Sequence, residues 1–455
     1  MTHPTFPEGF WWGAATSAYQ IEGAVDEGGR SPSIWDVYSH TPGKTLGGDT
    51  GDVAADHYHR LEEDVALMGW LGLDAYRFSI AWPRLIPDGV GDVNPAGAEF
   101  YRRLCRLLRE EGIVPVATLY HWDLPQILQE QGGWAASESP EWFARYAEAA
   151  HQTLGDLVDV WATINEPWCA AFLGHSAGVH APGATDPAVA HRVAHRLLVG
   201  HHRAAGVIKK RAPEHRVGIV LNLIPAWPAV DDPRDAEAAD RVDLIQNRLF
   251  LEGALRGGVP DEVSDICRVL GVEEDPGELE THFTPSDYLG VNYYNVNRIA
   301  YRRGAPSPAE WPGADEAVLV PPSGPVTAMG WGIDPDGLTW MLRRVSDAYP
   351  DLPLFITENG AAFEDRPVGG RIDDQPRVDY LSAHVAAAGE AIEAGVDLRG
   401  YFVWSLLDNF EWSYGYSKTF GLFYVDRRTL DRSPKASAYW YRDLIRSGIN
   451  GGGTC

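Results

Sequence analysis

Cysteine, methionine, positive charge and long apolar runs are all scarce in this chain. Of 455 residues four are cysteine and four methionine, and Lys plus Arg number 38 against 64 Asp plus Glu. No apolar run reaches the roughly 20 residues of a membrane span. Cys105, Cys169, Cys267 and Cys455 have neither metal-type spacing nor the density of a disulfide scaffold, and they fit a reducing cytosol. The net charge of −26 argues against nucleic acid and anionic membrane as partners, because phosphate binding needs clustered Lys and Arg. The opening stretch MTHPTFPEGFWWG lacks the basic and apolar regions of a secretory signal, so a cytoplasmic setting is expected. No Gly-rich phosphate fingerprint follows the first strand-like segment, which argues against an open dinucleotide-binding sheet.

Tryptophan is abundant by contrast, at seventeen residues. Aromatic faces suit sugar rings, whose C–H groups pack on π faces while the hydroxyls stay free to hydrogen-bond. Most tryptophans are core residues, however, so composition alone decides little. Organisation is more telling. Short β-rich apolar segments recur at 10–18, 75–80, 114–121, 159–164, 217–222, 288–293, 353–358 and 399–406, with helical patterns between them such as 95–112 and 377–395. Eight such units predict one closed parallel (β/α)8 barrel over residues 1–447, with 448–455 as a disordered tail. The Pro-rich stretch 304–326 and the stretch 364–376 read as long loops after the sixth and seventh strands. There they would rim the C-terminal face, where barrel active sites lie.

Polar residues gather at the strand ends. TINEP (163–167) puts Glu166 at the mouth of the fourth strand, and ITENG (356–360) puts Glu358 at the mouth of the seventh, across the barrel. One protonated acid facing one ionised carboxylate is what cleavage of a glycosidic bond requires. A lone Glu could equally cap a following helix; two at opposed strand ends weaken that reading. His191, His195, His201 and His202 share one helical stretch, but no HExxH motif accompanies them, and they read as a helix covering the barrel.

The stretches TINEP, ITENG, YRFSIAWPR (76–84), YHWDLP (120–125) and WSLLDNFEWSYGYSKTFGLFYVD (404–426) together resemble glycoside hydrolase family one, the β-glucosidase family. The likeness runs from FPEGFWWGAATSAYQIEGA (6–24) to near Trp440. It implies a TIM barrel with elaborated βα loops and a retaining double displacement, with neither metal nor organic cofactor. A small-molecule β-glycoside is the implied partner; oligomeric state is left open. By the same resemblance Glu358 is the nucleophile and Glu166 the acid/base. Arg77 can keep a carboxylate ionised, and Tyr294 can donate to the same group. Apolar Ile164, Pro167 and Trp168 favour a raised pKa at Glu166.

The resemblance further implies that Asn165 meets the sugar 2-hydroxyl, and that Gln20, His121, Trp122, Asn292, Glu411, Trp412 and Phe420 line the glycone pocket. Trp404 would form the platform beneath the ring, and Trp168, Asn222, His180 and Trp331 the aglycone side. Cys169 and Leu173 on that rim read as plain packing. In the 6-phospho-β-glucosidase pattern small residues replace Glu411 and Trp412, and Tyr replaces Phe420. The substrate is therefore expected to be unphosphorylated, because Glu411 would repel a phosphate. Transglycosylation is the nearest alternative activity. A non-catalytic sugar-binding barrel would have lost one Glu, and a phosphate-binding aldolase would need a Gly-rich loop and a strand-end Lys.

Overall fold

A computed structural model of the chain describes residues 5–447 except 274 and 276, so the tail expected at 448–455 lies outside the described residues. Eight parallel strands close into a barrel: β1 (Trp11–Ala15), β2 (Ala75–Ser79), β3 (Val114–Tyr120), β4 (Val160–Asn165), β5 (Arg216–Asn222), β6 (Tyr288–Asn292), β7 (Leu354–Asn359) and β8 (Leu398–Trp404). Each pairs with its neighbour in sequence, and β8 closes on β1 through pairs such as Gly13 with Phe402. All eight expected segments are strands. The two expected helices are Pro95–Glu110 and Gln375–Glu393. No helix among the described residues is long and apolar enough to cross a membrane.

Alternation along the strands builds the interior. Ala75, Val116, Val160, Tyr288, Phe355 and Phe402 pack into one apolar cluster. Small residues make room for the large ones: a Cβ on Gly13 would stand 2.4 Å from the Phe402 ring, and one on Gly290 would stand 2.7 Å from Val220. Counting on in steps of two gives Arg77, Thr118, Asn292 and Trp404, so polar chemistry rests on a packed apolar floor.

Two expectations need correction. β4 and β7 are not opposed across the ring, because only β5 and β6 separate them; the strand facing β4 is β8. The stretch 304–326 is not loop throughout. Ala317–Val320 pairs antiparallel with Asn297–Tyr301, which also pairs with Ala226–Pro228, giving a small extra sheet beyond the ends of β5 and β6. A four-residue alternation inside Pro- and Gly-rich surroundings carries little periodic signal. The stretch 364–376 remains irregular up to Gln375, yet buried ion pairs hold it. Asp365 Oδ2 meets Arg377 Nη2 at 2.8 Å and Lys435 Nζ at 2.6 Å, and Lys435 also donates to Asp408 at 2.6 Å.

Candidate active site

Glu358 owes its aim to a local irregularity. Ile356 pairs with Val291 on β6, but Glu358 pairs with the very next residue, Asn292, so Thr357 is an extra residue on β7. Such a bulge bends the strand and re-aims the following side chain. Gly360 then lets the chain pass Trp404, whose carbonyl oxygen would lie 1.8 Å from any Cβ there. Arg77 sits in the middle of β2, not at its end, and reaches upward. Its guanidinium is held at three corners: Nη1 donates to Glu358 Oε1 (2.7 Å), Nη2 to Asn165 Oδ1 (2.5 Å) and Nε to Thr118 Oγ1 (3.0 Å). Tyr294 donates its hydroxyl to Glu358 Oε2 at 2.6 Å. Burial pushes the Glu358 carboxyl up, and the charge and hydrogen bond of Arg77, the Tyr294 hydroxyl and Asn292 all act against that rise.

Glu166 lies just past β4. Its φ of +47° turns the chain sharply, while its N–H donates to Val220 (2.8 Å) and its carbonyl accepts from Ala170 (3.3 Å) to start a helical turn. A left-handed non-glycine backbone here is local strain of the kind that gathers at functional sites. The side chain does not cap that turn. Oε1 accepts from Asn292 Nδ2 at 2.6 Å, and Oε2 accepts from the Cys169 thiol at 3.0 Å. Both donors are neutral. Burial, reinforced by the Glu358 charge, pushes the Glu166 carboxyl up to about 7. Two carboxyls thus belong to one hydrogen-bond network, with the cation paired to only one of them.

The amide orientations follow from their partners. Asn165 Oδ1 accepts from Arg77 and from Asn292 Nδ2 (3.1 Å), so Asn165 Nδ2 is a donor toward His121 Nε2 at 3.1 Å. Nε2 of His121 is therefore the acceptor, and Nδ1 carries the hydrogen with no protein partner. Burial and the Arg77 charge keep His121 neutral. Trp122 gives its indole N–H to the Asn165 carbonyl (2.9 Å). Gln20 gives its amide hydrogens to Asn409 (3.1 Å), Phe410 (2.9 Å) and Glu411 (3.3 Å), all protein acceptors. Burial and the two catalytic-type carboxyls push Glu411 up to about 8.

Aromatic rings complete the wall. His121 lies parallel to Trp404 and Trp412 at 5.9 and 6.0 Å, and Trp412 also meets Trp122 at 4.6 Å. Tyr294, Trp331 and Phe420 form a second group, with Tyr294 5.4 Å from Trp331. On the outer side Trp168 faces Trp311 at 6.4 Å with its indole N–H unpartnered, and Asn222 ends β5. All the expected residues therefore join one connected set. Sequence reasoning missed Thr118, Thr357 and the thiol of Cys169 as parts of it. Only Cys169 had a signal, its place one helical turn after Glu166. The helical histidines instead bond protein acceptors, His201 to Thr163 (2.7 Å), His202 to Gly253 (2.9 Å) and His191 to Pro312 (2.9 Å).

Comparison with known proteins agrees with this geometry. The family description "Glycosyl hydrolase family 1" matches residues 2–449. The "Thermostable beta-glucosidase B" of Thermobispora bispora is 51% identical over 451 residues, 98% of this chain and 92% of that protein. The "Bifunctional beta-D-glucosidase/beta-D-fucosidase" of Bifidobacterium breve is 46% identical over 458 residues, 97% of this chain and 98% of that protein. Among solved structures, the family 1 β-glucosidase from Thermotoga maritima in complex with isofagomine lactam superposes with a TM-score of 0.93 at 45% identity, covering 98% of this chain and 99% of that one. With its closed barrel and paired glutamates, the chain belongs to glycosyl hydrolase family 1.

Proposed function

We propose that the protein is a retaining β-glucosidase that releases terminal β-D-glucosyl units from β-glucosides and cello-oligosaccharides, with Glu358 as nucleophile and Glu166 as acid/base. A relative named for both glucosidase and fucosidase extends the proposal to β-fucosides; β-galactosides are a further candidate glycone class. Residues 1–447 act as one catalytic unit in this reading, and the buried thiols Cys105 and Cys169 suit a cytoplasmic setting.

The observation that carries the reading is the unequal treatment of two neighbouring carboxyls. Both carboxyls are raised by burial, but Arg77 and Tyr294 favour the ionised form of Glu358, whereas Glu166 has only neutral donors and is pushed up to about 7. Glu358 attacks the anomeric carbon as Glu166 passes its proton to the leaving oxygen, giving a glycosyl ester and a free alcohol. Water then gives a proton to Glu166 and attacks the ester, restoring both carboxyls. Glu166 and Glu358 are linked through Asn292, Asn165 and Arg77, and in this reading their carboxyls stand at the roughly 5 Å spacing of retaining pairs. Asn165 has one amide hydrogen left for a sugar 2-hydroxyl, and the His121 Nδ1–H supplies a second donor to the glycone.

Azide tests the assignment. Glu358→Gly should lose nearly all hydrolysis and yield an inverted glycosyl azide when azide enters the vacated space. Glu166→Ala should still form the glycosyl ester from activated aryl glucosides and yield a retained azide. Retention from the Glu358 variant with inversion from the Glu166 variant would reverse the two roles.

A further inference from the structure

Cys169 has no part in the two-step reaction as written above, yet its sulfur touches the acid/base candidate. It opens the helical turn Cys169–Leu173, with Sγ 3.0 Å from Glu166 Oε2. From the other side Asn222 Nδ2, at the end of β5, approaches the same sulfur at 3.7 Å. An amide N–H can only donate, so the sulfur accepts from Asn222 and directs its own hydrogen at Glu166. The side chain is buried, and burial together with the Glu166 and Glu358 charges pushes the thiol well above its ordinary range. It therefore stays protonated and is neither nucleophile nor base.

We propose, on the reading that Glu166 is the acid/base, that Cys169 is a positioning residue whose weak S–H bond steadies the Glu166 carboxylate without locking it. The argument turns on which oxygen carries the working proton. Oε1 accepts a 2.6 Å bond from Asn292, whose amide nitrogen cannot accept one in return. Oε2 is thus the oxygen that must alternate between holding a proton and accepting one, and the thiol is its neighbour. A thiol donates weakly and accepts weakly, so it supports the carboxylate and yields when Oε2 is protonated. A strong donor in its place would favour the ionised state and weaken the acid. An apolar side chain would favour the protonated state and weaken the base.

The test is the alkaline limb of the pH profile of kcat/KM for cellobiose, whose poor leaving group needs the acid's proton, so that the limb reports loss of that proton in the free enzyme. Compared with the unaltered protein, Cys169→Val should move that limb up by about half to one pH unit, because a donor to the carboxylate is gone. Cys169→Ser, of nearly the same shape, should return the limb to its original position or below it. If the valine variant leaves the limb in place, or the serine variant follows the valine one, Cys169 serves packing alone and the proposal is overturned. Glu166→Gln is the control on the reading beneath it. Loss of the alkaline limb in that variant upholds Glu166 as the acid; its persistence would refute that role, whatever the Cys169 variants do.

Discussion

Replacing Arg77 by methionine isolates the electrostatic division between the two carboxyls. The substitution keeps length and burial but removes the cation 2.7 Å from Glu358 Oε1, along with its bonds to Asn165 and Thr118. At the roughly 4 Å separation usual for paired charge centres, in an effective dielectric of about 20, the lost attraction is about 4 kcal/mol. That corresponds to about 3 pKa units, and part will be recovered as water and the Tyr294 hydroxyl adjust. The sign is fixed: Arg77 favours the carboxylate, so its loss raises the Glu358 pKa. The acidic limb of kcat/KM, set by ionisation of the nucleophile, should move up by one to three units toward Glu166's value of about 7. Near neutral pH a smaller share of Glu358 would then be ionised, and glycosylation should slow by about tenfold for each unit the limb passes beyond the assay pH. Arg77→Lys should lie between, restoring charge but not the three-cornered fork. Titrating kcat/KM for an aryl β-glucoside from pH 4 to 9, with circular dichroism to confirm folding, gives the answer. An acidic limb that stays put in folded Arg77→Met would mean the guanidinium is only a wall-bracing ion pair, and the account of why Glu358 is the nucleophile would fail.

Three further outcomes follow from other parts of the molecule. Glu411→Ser should lose far more activity on β-glucosides than on 6-phospho-β-glucosides, and equal losses would remove Glu411 as the discriminating group. Lys435→Met leaves Asp365 and Asp408 buried without their shared cation, which should destabilise the fold by about 3–5 kcal/mol at pH 7. Lys435 and Arg377 hold the Asp365 carboxyl below its ordinary range, so its stabilising share is present above about pH 4 and lost as pH falls. Thermal melts of the variant and the unaltered protein should accordingly converge on acidification, and a gap that widened would contradict the pairing. Gly360→Ala must displace the Trp404 carbonyl 1.8 Å from the new Cβ, so activity should fall more than stability; an unchanged kcat/KM would show that this passage is not needed to aim Glu358.

The barrel was legible because parallel strands buried on both faces must be apolar along nearly their whole length, and helices must intervene to bring the chain back. Eight repeats of that pattern leave few other topologies. The strand-end glutamates were legible for a related reason, since a carboxylate directly after an apolar run has no structural use that does not involve a partner. What stayed hidden was geometry that no local pattern encodes. The extra residue at Thr357 on β7 and the irregular register between Ala162 and Asn165 on β4 depend on neighbouring strands distant in sequence. Both irregularities sit immediately before a catalytic-type glutamate.

That coincidence explains how carboxyls on strands only three places apart can join one hydrogen-bond network. Regular strands would hold Glu166 and Glu358 on a fixed alternation, and side chains at such neighbouring places would tend to lie side by side along the wall. A skipped register on each strand, with a left-handed turn at Glu166, breaks that alternation where it matters. The amide of Asn292, on the strand paired with β7, donates to Glu166 and to Asn165, and Asn165 in turn shares the Arg77 guanidinium with Glu358. Meanwhile Arg77, two strands from β4 on the other side, touches Glu358 and Asn165 but not the Glu166 carboxyl. Charge asymmetry between two otherwise similar acids thus arises from strand order and two local slips, and neither can be read from the motifs TINEP and ITENG alone.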